Sequence, residues 1–225
     1  MKKIVNFNNS ANVFVVLGGV GSGKTHLVLG HAGKKLVISF DSSYSTLVGH
    51  ESEVTVVEPE LSDYNNADAF IAEIDDLAKD YDLVVFDNVS AVETSLVNAI
   101  TDGKLGNNTD GRAAYGTVQK LMSKFANWAI HFDGNVLFTL WSLTTEDGKE
   151  QPAMNMKAFN AVAGYAKLVS RTEVGFDGYS VVMNPDGRGV IKNRLANKIK
   201  KQSIKNDDYW KAVEFAKGGN SNADA

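Results

Sequence analysis

Cysteine is wholly absent from the 225 residues, so a disulfide framework and a thiolate metal site are both excluded. Histidine is scarce as well: His26, His31, His50 and His131 show none of the spacings of zinc ligands. The amino terminus, Met-Lys-Lys-Ile-Val-Asn-Phe, lacks the apolar run and small-residue cleavage site of a secretory signal. Nor is any apolar stretch long enough to cross a bilayer. A cytoplasmic protein without membrane association is therefore expected. No internal repeat is visible. What remains is ordinary globular material, 44% apolar and 22% charged, enough for one filled core and a short appendage.

A net charge of −4 argues against a chain that is basic all over. The charge is unevenly placed, however. Nine basic residues between Arg188 and Lys217 face only Asp207, Asp208 and Glu214, which leaves +6 there and −10 elsewhere. Such an asymmetry points either to a surface for a polyanion or simply to a solvated basic face.

The order of elements is that of an α/β protein. Asn12–Leu17, Lys35–Phe40, Val54–Val57, Asp82–Asp87 and Asn135–Trp141 are short, apolar and β-branched, the signature of strands buried on both faces of a parallel sheet. Helical spacing is expected over Gly23–Leu29, Asn66–Lys79, Ala91–Ile100, Ala113–His131, Asn155–Val169 and Asp207–Lys217. Two polar stretches, Thr101–Gly111 and Thr144–Pro152, read as exposed loops. Thr172–Phe176, Tyr179–Met183 and Gly189–Lys192 read as an antiparallel meander. The expected fold is one mainly parallel sheet with helices on both faces and a meander extension, a domain over 1–205. A C-terminal helix and a polar tail follow over 206–225.

Gly18-Gly19-Val20-Gly21-Ser22-Gly23-Lys24-Thr25 matches the phosphate-loop pattern in full, between an apolar strand and a helical segment. Glycines let successive N–H groups curl toward phosphate oxygens, and a following helix adds its positive end. Lys24 is expected to reach the β- and γ-phosphates and the Thr25 hydroxyl to ligate Mg²⁺, with the nucleotide contact running on to His26. Asp87, closing its apolar strand, is the expected second acidic residue on the magnesium side. ATP and Mg²⁺ are thus the expected cofactors.

Subtraction narrows the branch. Asn197-Lys198-Ile199-Lys200 lacks the acid of a guanine reader, Gly19 stands where partition ATPases have an early lysine, and Arg112 alone cannot make a kinase lid. The remaining order is the phosphate loop, the strand to Asp41, the Asp87 strand and the long helix around Arg112-Ala113-Ala114-Tyr115-Gly116. The Trp141 strand and the hairpins closing on Val190-Ile191-Lys192-Asn193-Arg194 complete it. From Val13 to Arg194 this resembles the phage RecA-like P-loop ATPases, and among them the fourth Sak group of single-strand annealing recombinases.

The resemblance implies an ATPase that assembles into a ring or filament, binds single-stranded DNA and works beside a single-strand-binding protein. It also implies that Lys192 and Arg194, two apart on one strand face, reach a neighbour's nucleotide in trans. Asp41 stands where the catalytic glutamate of RecA-like proteins is expected, with Glu51 and Glu53 as substitutes. A shorter acid implies slow hydrolysis. The polar sensor position at the end of the fourth strand is altered, since Trp141-Ser142 stands there, although Ser142 can still hydrogen-bond a phosphate or water. Lys104, Arg112, Lys149 and Lys157, in and just beyond the two polar loops (around Lys104 to Arg112 and Thr144 to Lys157), are the implied DNA contacts. Two other readings stay open: an ATP-driven switch acting on a protein partner in replication without DNA, and a nucleotide kinase.

Overall fold

The computed structural model describes residues 12–107 and 109–218. Ten strands form one sheet among them. They are β1 (Asn12–Gly18), β2 (Lys35–Ser39), β3 (Val54–Val57), β4 (Leu83–Asp87), β5 (Asn135–Thr144), β6 (Glu150–Pro152), β7 (Leu168–Gly175), β8 (Gly178–Val182), β9 (Lys192–Asn193) and β10 (Ser203–Lys205). The order is β10-β8-β7-β1-β5-β4-β2-β3, with β6 on β5 and β9 on β7. From β7 to β3 every pairing is parallel, and β8, β9, β10 and β6 join antiparallel. The mainly parallel α/β sheet read from the sequence is therefore the observed one.

Alternation along the strands divides the core in two. Val13, Val15 and Leu17 face one side of β1, where α1 (Ala67–Ala78), α2 (Val89–Thr101), α3 (Gly111–Ala129) and α4 (Met156–Ala163) pack. An aromatic stack fills that layer: Phe125 of α3 lies 4.8 Å from Phe86 and 5.8 Å from Phe70. Phe14 and Val16 face the other side, covered by two short 3₁₀ turns and by α5 (Tyr209–Lys217). Helices cover both faces as expected, four on one side and one on the other.

Several boundaries differ from the sequence reading, each for a local reason. The helix expected over Gly23–Leu29 is only a single 3₁₀ turn, Thr25–Val28, because glycines bracket it too closely for a second turn. The loop expected over Thr144–Pro152 is a hairpin: β5 runs on to Thr144 and pairs with β6, and Thr145–Lys149 form the turn. The helix expected to reach Val169 ends at Ala163, capped by Gly164, and β7 starts at Leu168, four residues before the expected strand. The third meander strand is instead β9, on β7, and β10, which was missed, closes the sheet on β8. The tail from residue 219 lies outside the described residues.

The α5 side contains one buried titratable group with consequences for stability. Trp210 packs edge-on against Phe14 at 5.4 Å and against His31 at 4.7 Å. The Asn135 amide donates to His31 Nε2 at 2.7 Å, which fixes that nitrogen as the unprotonated acceptor. Burial, chiefly, lowers His31 to about 4 from an ordinary 6.5. Glu214 and Asp82 oppose that shift and Lys35 adds to it. Between those two values the unfolded chain holds a proton here that the folded chain does not, so stability falls as the pH falls through the window. The gap corresponds to about 3 kcal/mol. Urea unfolding at pH 7 and pH 4 is expected to show a loss larger by that amount in the wild type than in His31→Gln. Equal losses in the two proteins would remove His31 from the account.

Candidate functional site: the phosphate loop and the Asp87 strand

The loop Gly18–Thr25 leaves β1 at the carboxyl edge of the sheet, where crevices of parallel α/β folds bind ligands. Two of its glycines are dictated by close approach. A Cβ on Gly18 would lie 2.0 Å from Thr172 Oγ1 and 2.4 Å from Ser22 Oγ, so only a bare backbone fits against β7. Gly23 has φ 86°, in the left-handed region, and a Cβ there would lie 2.6 Å from the Asn206 amide. Ser22 Oγ donates to Gly19 O at 2.7 Å and meets Thr172 Oγ1 at 2.6 Å, closing the turn on itself and on the sheet.

Lys24 is buried and folds back along the loop, its ammonium donating to Gly18 O at 2.8 Å and to Gly19 O at 2.7 Å. Burial lowers its pKa, and the negative charges of Asp87 and Asp41 oppose that shift. The structure thus brings Lys24, Asp41 and Asp87 within electrostatic reach of one another. Asp41 is half-buried just past β2 and accepts from Ser43 N at 3.0 Å. Val20 at the loop tip is exposed, and exposed His26 meets Asp207 at 3.3 Å.

Asp87 closes β4. Its two carboxylate oxygens are divided: Oδ2 accepts from Thr25 Oγ1 at 2.8 Å and Oδ1 from Thr139 Oγ1. Burial raises its pKa while both hydroxyls counter that shift. The Asp87–Asn88 peptide is cis, and Asn88 caps α2 through Ser90 N. Thr139 was not singled out in the sequence. The signal was there, since it is the one hydroxyl in the buried run Val136–Leu140 of β5, the strand inserted between β1 and β4. Ser142 does not take the expected sensor position; its hydroxyl donates to Glu150 Oε2 at 2.8 Å on β6.

An oxygen-lined pair such as Thr25 and Asp87 suits Mg²⁺, which is held by one or two protein oxygens together with substrate phosphates. The turned-in loop and Lys24 suit those phosphates. The residues present therefore fit a magnesium nucleotide. Bound there, the metal would supply charge neutralisation between β- and γ-phosphates.

Other expected residues lie elsewhere. Glu51 and Glu53 sit in the turn before β3, at the opposite end of the sheet from Asp87, and Glu53 pairs with buried Lys35 at 3.0 Å. They cannot substitute for Asp41. Lys192 and Arg194 do share a face, as read, but that face lies against the end of α4. Lys192 Nζ donates to Ala163 O at 2.8 Å and Gly164 O at 2.9 Å, and Arg194 to Gly164 O at 3.2 Å. Lys192 pairs with Val169, near the start of β7, roughly 10 Å along the strand from Thr172 beside the loop. Neither cation therefore serves the loop of its own chain. Lys104, Arg112, Lys149 and Lys157 are all exposed, and two of them are ion-paired locally, Lys104 with Asp102 at 3.1 Å and Lys149 with Asp147 at 2.6 Å.

The parallel sheet, the loop at its carboxyl edge and an Asp87 strand separated from β1 by β5 define a RecA-like P-loop nucleotide-binding domain. The chain belongs to the AAA domain family, whose match covers residues 10–198. Among solved structures it is similar to a KaiC-like protein of the hyperthermophilic archaeon Pyrococcus horikoshii OT3. That likeness has a TM-score of 0.45 and 13% identity, over 81% of this chain and 83% of the other. No curated protein matches it. Among the described residues no helix is long and apolar enough to cross a membrane.

Proposed function

We propose that the chain binds ATP with Mg²⁺ at Gly18–Thr25 and hydrolyses it, and that it acts on single-stranded DNA in recombination, in the manner of the phage annealing proteins it resembles. The observation that carries the nucleotide reading is the bridge Thr25–Asp87–Thr139, which ties the loop, the acidic strand and the strand between them into one polar unit. Lys24 neutralises phosphate charge, Thr25 and Asp87 hold the metal side, and Asp41 orients water. With a short carboxylate in that role, turnover is slow. Lys192 and Arg194 reach a neighbouring subunit's nucleotide only by leaving α4, so assembly and activity rise together.

A protein-partner switch is the second reading, favoured by one observation. Val174, Phe176 and Tyr179 on the β7–β8 hairpin are exposed beside the loop, an apolar surface of the kind partners bury. Steady-state phosphate release with and without a single-stranded oligonucleotide separates the two. Several-fold stimulation is expected. Turnover indifferent to DNA at all protein concentrations would move the assignment to the switch.

A further inference from the structure

The nine cations between Arg188 and Lys217 do not share one fate. Lys192 and Arg194 cap α4. Arg188 lies 3.9 Å from Glu173, Lys211 3.0 Å from Asp208 and Lys217 2.9 Å from Glu214. Lys198, Lys200, Lys201 and Lys205 are left, all exposed and all without an ion pair among the described residues. They fall in one short, mostly non-helical stretch ending in β10, the outermost strand at that end of the sheet. Around them the exposed residues are Ala196, Asn197, Gln202 and Ser203, while Ile199 is buried. The stretch itself offers charge and hydrogen bonds, and exposed Tyr179, next to the Ser180 that pairs with Lys205, adds a ring on which a base can stack while the backbone follows the charge.

The same stretch leads directly into a grip on the phosphate loop. Asn206 follows Lys205, is 4% exposed, and donates its amide to Gly23 O at 3.0 Å. Asp207 meets His26 at 3.3 Å, and Trp210 donates its indole N–H to Leu27 O at 2.8 Å. Three successive contacts therefore hold the loop and the lone 3₁₀ turn behind it.

We infer that Lys198, Lys200, Lys201 and Lys205 form the surface for a nucleic-acid backbone, and that Asn206 is the positioning residue that couples its occupancy to the phosphate loop. The inference rests on the DNA reading above and deepens it: it moves the contact from the two polar loops to this edge and gives it a route to the nucleotide. A strand of phosphates drawn along the stretch orders it, and Asn206 transmits that order to Gly23. By linkage, nucleotide then favours DNA by the same factor that DNA favours nucleotide.

The test uses the full chain and a fluorescein-labelled oligothymidylate, followed by anisotropy over a range of salt concentrations. Changing the four lysines to glutamine is expected to weaken binding at least tenfold. It should also flatten the slope of log affinity against log salt by up to about 2.8, since each single-strand phosphate contact contributes about 0.7. The double variant Arg112→Gln, Lys157→Gln is expected to keep most of the slope. In the wild type a fluorescent ATP analogue should bind at least fivefold tighter with the oligonucleotide present. Asn206→Ala should bind the oligonucleotide normally yet lose that enhancement, which a merely structural lesion would not single out. A wild-type protein that ignores the oligonucleotide overturns the DNA reading and this inference together. A wild type that binds it, with the four-lysine variant unchanged in slope, overturns this inference alone. Enhancement surviving in Asn206→Ala removes the coupling.

Discussion

Lys24→Ala is expected to lower ATP turnover by about 10²–10³-fold, the range for removing one preorganised donor to developing charge. The geometry gives the reason. Lys24 is the cation that the loop itself presents, buried beside Asp87 and Asp41, and its ammonium needs only to exchange the Gly18 and Gly19 carbonyls for phosphate oxygens. Alanine removes that charge and leaves the two carboxylates facing the triphosphate uncompensated. The fold should persist, because the loop is also held through Ser22, Thr172 and Asn206. Phosphate release and thermal unfolding measured on the same preparation check both halves. Turnover within threefold of wild type, with the chain folded, would place the chemistry elsewhere.

The largest stability effect is expected at Trp210. It is 2% exposed, packs against Phe14, His31 and Tyr209, and donates to Leu27 O. Replacing a buried tryptophan by alanine costs about 3–5 kcal/mol, a large share of the roughly 5–15 kcal/mol that domains of this kind possess. Trp210→Phe keeps most of the ring and loses the N–H, so a cost of about 1 kcal/mol is expected from the hydrogen bond. Urea midpoints with unchanged m-values measure both. A Trp210→Ala cost below 1 kcal/mol would mean that α5 is dispensable to the core.

What was legible from the chain follows the range of the interactions. The phosphate loop was plain because its chemistry is contained in eight consecutive residues flanked by a strand. Asp87 was readable only together with the upstream phosphate loop, since an acid at the end of an apolar strand also serves turns, as Asp41 does with Ser43 N. Thr139 was readable in principle, a hydroxyl in a strand otherwise apolar, but its meaning required knowing that β5 lies between β1 and β4. Asn206 carried no local signal at all, since its partner Gly23 is 183 residues away. Charge counting found the basic stretch between Arg188 and Lys217. It could not tell Lys192 and Arg194, spent on helix carbonyls, from the four lysines that make no ion pair among the described residues. The β5–β6 hairpin was hidden because Thr145–Lys149 has the composition of a loop and bonds like a turn.

That long span has a consequence in time as well as in space. Synthesis proceeds at about 5–20 residues per second, so roughly 10 to 40 s separate the emergence of Gly23 from that of Asn206, 183 residues later. Throughout that interval the nascent chain carries a complete phosphate motif without the Asn206 contact to Gly23. The tie between Asn206 and Gly23 is thus made long after the motif itself has been synthesised. A nucleotide that binds the folded state alone then stabilises, by mass action, those chains in which the two segments have met.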